Sequence, residues 1–319
     1  MSGHACSVWP VAQETAAVQR RGRYLPGSTA HPGKMLPALA RQAIQTYSRP
    51  HELVLDPMCG TGTTLVEAAH LGRQALGVEL EARWAALAAA NLQHARHQGA
   101  PGRGLAIRGD ARHLGAGLLD EYRERVSLIV SSPPYGSSLH GQLHKRPDGI
   151  ETFDNRYSHN PDNLAQLPQR RPRGDRPAFG GALAEILAGC SRLLTPGGYL
   201  LLTARPYRQQ GELIDLPGQL EQLAADAGLK PHDRLVALLC AHRDQKLVPR
   251  PSFFQMQLQR SGRIPRMLLI AHEDLLVLRK PVFSRSSREP KGVQREPKGS
   301  SAAVGPGYTW VRREAGGSA

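Results

Sequence analysis

The sequence predicts an α/β fold built on a doubly wound, mostly parallel sheet, and three observations lead there. Short apolar runs alternate with helical segments between residues 51 and 136. Glycine, proline and small polar residues punctuate each change of period. After an interruption the alternation resumes near residue 182. A repeating βαβ rhythm sets parallel strands side by side and lays helices over both faces.

Taken in order, residues 38–46 read as a helix preceded by His31-Pro32-Gly33-Lys34-Met35-Leu36-Pro37. Residues 53–56 (Leu-Val-Leu-Asp) form the first core strand, and a helix starts at 63 and runs to 70. A strand at 75–79 leads to an Ala- and Leu-rich helix at 83–97, and 105–109 and 127–131 are further short apolar strands. Beyond the interruption come a helix at 182–194, the turn Thr195-Pro196-Gly197-Gly198 and a strand at 199–203. A helix at 212–227 and strands at 234–240 and 267–278 complete the pattern.

A chain of 319 residues, 40% of them hydrophobic, can bury one sizeable core and still carry insertions. Lys and Arg number 41 against 27 Asp and Glu, and the surplus of 14 gathers in residues 1–50, 137–180, 242–267 and 281–319. Positive charge on arms and loops around a near-neutral core suits a polyanion partner, because phosphate contacts release counterions. An Arg-rich surface kept for solubility alone would look the same, so the charge counts only beside the motifs. Cys6, Cys59, Cys190 and Cys240 are scattered, with no CxxC pair. Neither a zinc site nor a disulfide framework is expected, and a reducing cytoplasm fits. No apolar run approaches a membrane span and no signal pattern opens the chain, so a soluble protein without a membrane partner is expected.

The expected organisation is an N-terminal arm and flanking helix at 1–50, a core at 51–280 and a basic low-complexity tail at 281–319. The tail repeats Arg-Glu-Pro-Lys-Gly at 288–292 and 295–299. Residues 137–180 interrupt the core with Gly, Pro, Asn, His and Arg. A long irregular segment inside a domain is functional or disordered. Because it starts just after Tyr135, a lid or recognition element is the preferred reading. Residues 242–267 form a second basic loop.

Two motifs carry the chemistry. Asp56-Pro57-Met58-Cys59-Gly60-Thr61-Gly62-Thr63-Thr64 joins a strand to a helix through a small-residue turn. Gly60 and Gly62 allow a ligand to approach backbone. Glu79 ends the next strand, where a carboxylate is placed to accept a pair of ribose hydroxyls. Asp110 follows the third strand. Lys34, ahead of a helix, adds charge where a helix start already favours an anion. The second motif, Ser132-Pro133-Pro134-Tyr135, caps the apolar strand at 127–131. It sets a hydroxyl, a carbonyl fixed between two prolines, and an aromatic ring side by side.

In this order and spacing the motifs resemble the DPxxGxGTT and SPPY loops of S-adenosylmethionine-dependent DNA amino-methyltransferases of the cytosine-N4 and adenine-N6 type. The resemblance covers roughly 31–136 and 181–280. It implies a seven-stranded Rossmann-like methyltransferase sheet with its last strand antiparallel. S-adenosylmethionine would be the cofactor, held by Lys34, Asp56, Pro57, Cys59, Gly60, Gly62, Thr63, Thr64, Glu79 and Asp110, the last at the adenine amino group. Ser132, Pro133, Pro134 and Tyr135 would be catalytic, with Tyr135 stacking on an extruded base. No metal is implied. A serine at the first position resembles the cytosine-N4 enzymes, and aspartate or asparagine the adenine-N6 and guanine-N2 enzymes. Cytosine-C5 chemistry needs a Pro-Cys nucleophile, and none of the four cysteines follows a proline. Cytosine-N4 enzymes more often run in the permuted motif order, and a recognition domain of the usual size is missing. An adenine-N6 DNA enzyme, a tRNA guanine-N2 enzyme and a non-catalytic nucleic-acid-binding protein are the alternatives. Neither a recognition sequence nor a restriction endonuclease partner can be read from the chain.

Overall fold

The computed structural model describes residues 6–31, 33–134, 160, 162–168, 178–209, 212–250, 268 and 270–282. A short strand β1 (Val8–Trp9) and helix α1 (Ala16–Arg20) precede helix α2 (Pro37–Tyr47). The alternation then runs β2 (Leu53–Asp56), α3 (Thr63–His70), β3 (Gln74–Glu79), α4 (Ala82–His97), β4 (Arg103–Arg108) and β5 (Val126–Ser131). Helix α5 (Phe179–Leu193) leads into β6 (Leu194–Ala204), and a hairpin of β7 (Tyr207–Gln209) and β8 (Glu212–Ile214) follows. Helix α6 (Leu216–Asp226), β9 (Lys230–Leu238), a second hairpin of β10 (Cys240–Arg243) and β11 (Lys246–Pro249), and β12 (His272–Arg279) complete it.

The main sheet has the order β1-β9-β12-β6-β5-β2-β3-β4. Only β12 runs antiparallel to its neighbours, β6 and β9. Side chains alternate between faces, as the two-residue period of a strand requires. Val54, Leu128, Val130, Leu201 and Val277 pack beneath α2, α3 and α4, whereas Leu55, Ile129, Leu200, Leu202 and Leu278 pack beneath α5 and α6. The consecutive apolar residues of these strands therefore reflect burial on both sides. The chain moves outward from β2 through β3 to β4, then returns to place β5 on the other side of β2. That reversal leaves a crevice at the carboxyl ends of β2 and β5, the usual ligand position in open α/β sheets.

The expected strands are all present, and an eighth joins them. Val8 and Trp9 pair in parallel with Val236 and Ala237, a two-residue edge contact too short to carry a periodic signal. The helix expected over 212–227 starts later, because Glu212–Ile214 pairs with Tyr207–Gln209 and Asp215 caps the helix by accepting from Gly218 N. The last two strands are offset from expectation, at Lys230–Leu238 and His272–Arg279. The basic segment from 242 opens as the outgoing half of a hairpin rather than as an irregular loop. Its remainder at 251–267, most of the 137–180 insertion and the tail from 283 lie outside the described residues.

The N-terminal arm is built into the fold. Arg20 is 4% exposed and donates to Met35 O (2.6 Å) and Thr63 Oγ1 (3.1 Å). Arg23 binds the fully buried Glu67 through two hydrogen bonds, and Arg41 and Tyr24 complete that carboxylate's shell. Three of the six Lys and Arg side chains in residues 1–50 thus hold structure together and are not free for a polyanion.

Candidate functional site

The crevice at the switch point opens into a cavity of about 1050 Å³ lined from β2, β3, β5, the turn after β4, the segment before α2 and the start of β12. Lys34, Asp56, Pro57, Cys59, Gly60, Thr63, Glu79, Asp110, Ser132, Pro133 and Pro134 all line it. Gly62 and the fully buried Thr64 are not among the lining residues. Tyr135 lies outside the described residues.

The loop after β2 has its shape for local reasons. Gly60 and Gly62 take φ of 52° and 82°, and a Cβ on Gly62 would stand 3.1 Å from that of Ala88 on α4. These are left-handed conformations that a side chain resists, and Gly62 is also the cap of α3. Gly60 N donates to Glu79 Oε2 (2.8 Å), and Glu81 N donates to Glu79 Oε1 (2.9 Å). The carboxylate of Glu79 therefore holds the loop while each oxygen keeps lone-pair capacity toward the cavity. Burial raises its pKa, opposed by those two N–H donors.

Asp56 plays a different part from a simple ligand contact. It is 4% exposed. Thr64 Oγ1 donates to its Oδ2 (2.7 Å), and Ser131 Oγ (3.0 Å) and Met58 N (3.1 Å) donate to its Oδ1. Burial pushes its pKa up to about 6, with those three hydrogen bonds pulling the other way. One side chain thus ties the loop after β2 to the end of β5, next to Ser132. Ser131 was not singled out in the sequence, and no spacing could have found it. Only the parallel pairing of β2 with β5 brings it to Asp56.

At one end of the cavity the charge is positive. Lys34 Nζ donates to Thr29 O (3.0 Å) and to His31 O, and burial with the nearby Arg20 lowers its pKa to about 8. Burial and the Lys34 charge lower His31 to about 4, so its ring is neutral near pH 7. That ring meets Trp84 edge-on at 4.7 Å. Trp84 Nε1 and Thr61 Oγ1, both on lining residues, are buried without a hydrogen-bond partner. Buried polar atoms left unpaired mark a place where a ligand has bonds to make.

At the opposite wall Arg112 forms an ion pair with Asp110 and reaches Asp162 at 3.5 Å. Burial alone would raise the Asp110 pKa, but Arg112 outweighs it and holds the carboxyl below its ordinary value. Asn163 Nδ2 donates to Glu81 Oε1 at 3.3 Å, and Leu164 and Leu167 are buried in the core. The described part of the insertion is thereby anchored against the cavity. Past Ser132 the lining continues through Arg205, Leu239, Pro249, Arg250 and Glu273. Burial raises the Glu273 pKa, and Arg205 and His272 lower it. Among the described residues no group of His, Cys, Asp and Glu is arranged to hold a metal ion, and no helix is long and apolar enough to cross a membrane.

Comparison with known proteins bears on this site. Residues 4–90 match a family model described as DNA methylase. Over 110 residues the chain is 36% identical to the tRNA (guanine(10)-N2)-dimethyltransferase of Methanocaldococcus jannaschii, covering 34% of this chain and 30% of that protein. Over 78 residues it is 36% identical to the type II methyltransferase M.HinfI of Haemophilus influenzae, covering 24% of this chain and 21% of that protein. The matched region thus spans less than a third of either relative. Among solved structures, TrmN from Thermus thermophilus aligns over 82% of this chain and 53% of its own, with 20% identity and a TM-score of 0.46.

Proposed function

We propose that this chain, whose residues 4–90 match a family model described as DNA methylase, transfers a methyl group from S-adenosylmethionine to an exocyclic amino group of a DNA base, with cytosine N4 as the target. The observation that carries the reading is the convergence of Glu79, the Gly60 loop and Ser132-Pro133-Pro134 on one cavity.

The cavity's chemistry fits the cofactor. It offers a carboxylate for a diol, a cationic end for an α-carboxylate, and unpaired donors on Trp84 and Thr61. When bound, S-adenosylmethionine supplies an electrophilic methyl group on sulfur. Glu79 accepts from the ribose hydroxyls while keeping Gly60 N, so loop shape and cofactor grip depend on one carboxylate. Lys34 and the amino end of α3 hold the carboxylate. Asp110, oriented by Arg112, accepts from the adenine amino group.

Ser132 Oγ and the Pro133 carbonyl accept the two N–H bonds of the target amine. Holding both draws the nitrogen lone pair out of conjugation with the base and aims it for in-line attack. Acceptors fixed in advance in a site shielded from water are worth most. Tyr135 stacks on the extruded base. In this organisation residues 51–280 form the catalytic domain and the insertion and the 242–267 segment provide recognition.

A second reading, transfer to guanine N2 of a tRNA, is favoured by the likeness to the archaeal tRNA enzyme. Ser132, where the resemblance leads one to expect aspartate in such an enzyme, weighs against it. Tritiated S-adenosylmethionine supplied with native genomic DNA and with total tRNA, followed by mass spectrometry of the digested nucleosides, separates the two. N4-methylcytosine in DNA is the expected product. N2-methylguanosine in tRNA would overturn the substrate and keep the chemistry.

A further inference from the structure

The carboxyl ends of β6 and β9 each run into a hairpin on the side of the sheet that holds the cavity. Between them stands β12, whose Glu273 lines the cavity. The β10–β11 hairpin turns through Asp244 and Gln245, with φ of 45° and 60°. A two-residue turn with both residues left-handed matches strand twist and is stiff. It is held at both ends: beside the turn, Arg243 donates to the side chain and carbonyl of Gln13, and at the base Arg250 donates to Gln13 O and Ala12 O, with Pro249 and Arg250 lining the cavity.

The outer strand of this hairpin buries nothing, and Leu247 is 60% exposed. A lone exposed leucine on a surface is ordinary. This one pairs with His242, one step from the turn of an anchored hairpin, beside the exposed Lys246 and two residues before Pro249, which lines the cavity.

We propose that the β10–β11 hairpin is a wedge that enters a DNA duplex, with Leu247 filling the stack beside the base delivered to Ser132. The inference rests on the proposed function. It adds the physical step that function needs: a base leaves a duplex only if something offsets the lost stacking, and an inserted apolar side chain does so. Charge complementarity supports DNA as the occupant. Lys246 stands exposed beside Leu247, and although Arg243 and Arg250 are held in place, their partners Gln13 and Ala12 are uncharged, so the hairpin with its two flanking residues keeps a positive surplus over its one acid, Asp244.

The test uses the full chain with a short mixed-sequence DNA duplex, and with the same duplex carrying one unpaired base at its centre. Leu247→Ser is expected to weaken binding to the paired duplex about tenfold and binding to the unpaired one less than about twofold, since an unpaired base needs no wedge. Cofactor affinity should be unchanged, which shows that the fold is intact. Leu247→Trp should give tryptophan quenching on the duplex beyond that of the wild type. Equal losses on both probes, or the selective loss arising from Leu213→Ser on the other hairpin instead, would overturn the wedge and leave methyl transfer standing. Failure of the wild type to bind either duplex, or quenching by an RNA stem alone, would overturn DNA as occupant together with the DNA reading.

Discussion

With its carboxyl raised to about 6, Asp56 keeps a proton in the folded chain that an unfolded chain releases near 3.8. The contribution to stability is whole below the unfolded value and is lost as pH rises through about 6, on the order of 3 kcal/mol. Asp56→Asn should therefore fold and show a flatter dependence of thermal stability on pH between acid and neutral conditions. Unfolding midpoints measured across that range check it. Lys34 titrates in the same sense for binding, at higher pH. With its pKa lowered to about 8, cofactor affinity should decline as pH passes that value in the wild type, and Lys34→Met should bind more weakly with no such decline. Calorimetry at several pH values reads both. Glu79→Ala should weaken cofactor binding by about tenfold or more, because it removes the diol acceptor and frees Gly60 N. Ser132→Ala should cut turnover by about a hundredfold and leave cofactor affinity unchanged. Loss of cofactor binding there would mean the catalytic loop had been misplaced.

The elements around these residues are joined by a few buried polar groups. Glu67 on α3 accepts from Arg23, Tyr24 and Arg41. Removing it as Glu67→Ala leaves two arginines and a phenol without their acceptor, and should cost about 3–5 kcal/mol in denaturant unfolding. Asn91 on α4 likewise binds Ser28 Oγ and Thr61 O, each at 2.8 Å. At this scale the sequence was legible wherever a signal is local. The helices on either side of the cavity lie within a few residues of their expected ends, and Glu79 and the Gly60 loop meet because adjacent parallel strands end together. What the sequence hid was contact across distance. Arg23 and Arg41 read as free charge because their partner, Glu67, lies 44 and 26 residues away. The β7–β8 hairpin was absorbed into a helix because Glu and Leu suit a helix in isolation, and only Asp215 as cap shows where the helix starts.

Across the whole sequence, positive charge gathers in segments outside a near-neutral core, yet part of it is structural, so composition overstates the charge free for phosphate. Removing residues 283–319 should leave turnover on short duplexes unchanged and reduce the salt dependence of DNA binding, as expected when basic groups that release counterions are lost. Titrations at several salt concentrations check this. The sheet's edge has a further consequence. Trp9, 3% exposed, sits on a short strand that pairs along β9, more than two hundred residues later in the chain. Contacts that span so much sequence form slowly. A ribosome building this protein releases β1 more than two hundred residues before its partner, so that strand waits unpaired while the intervening chain is made. The interval between is when its tryptophan is most open to aggregation and to chaperones.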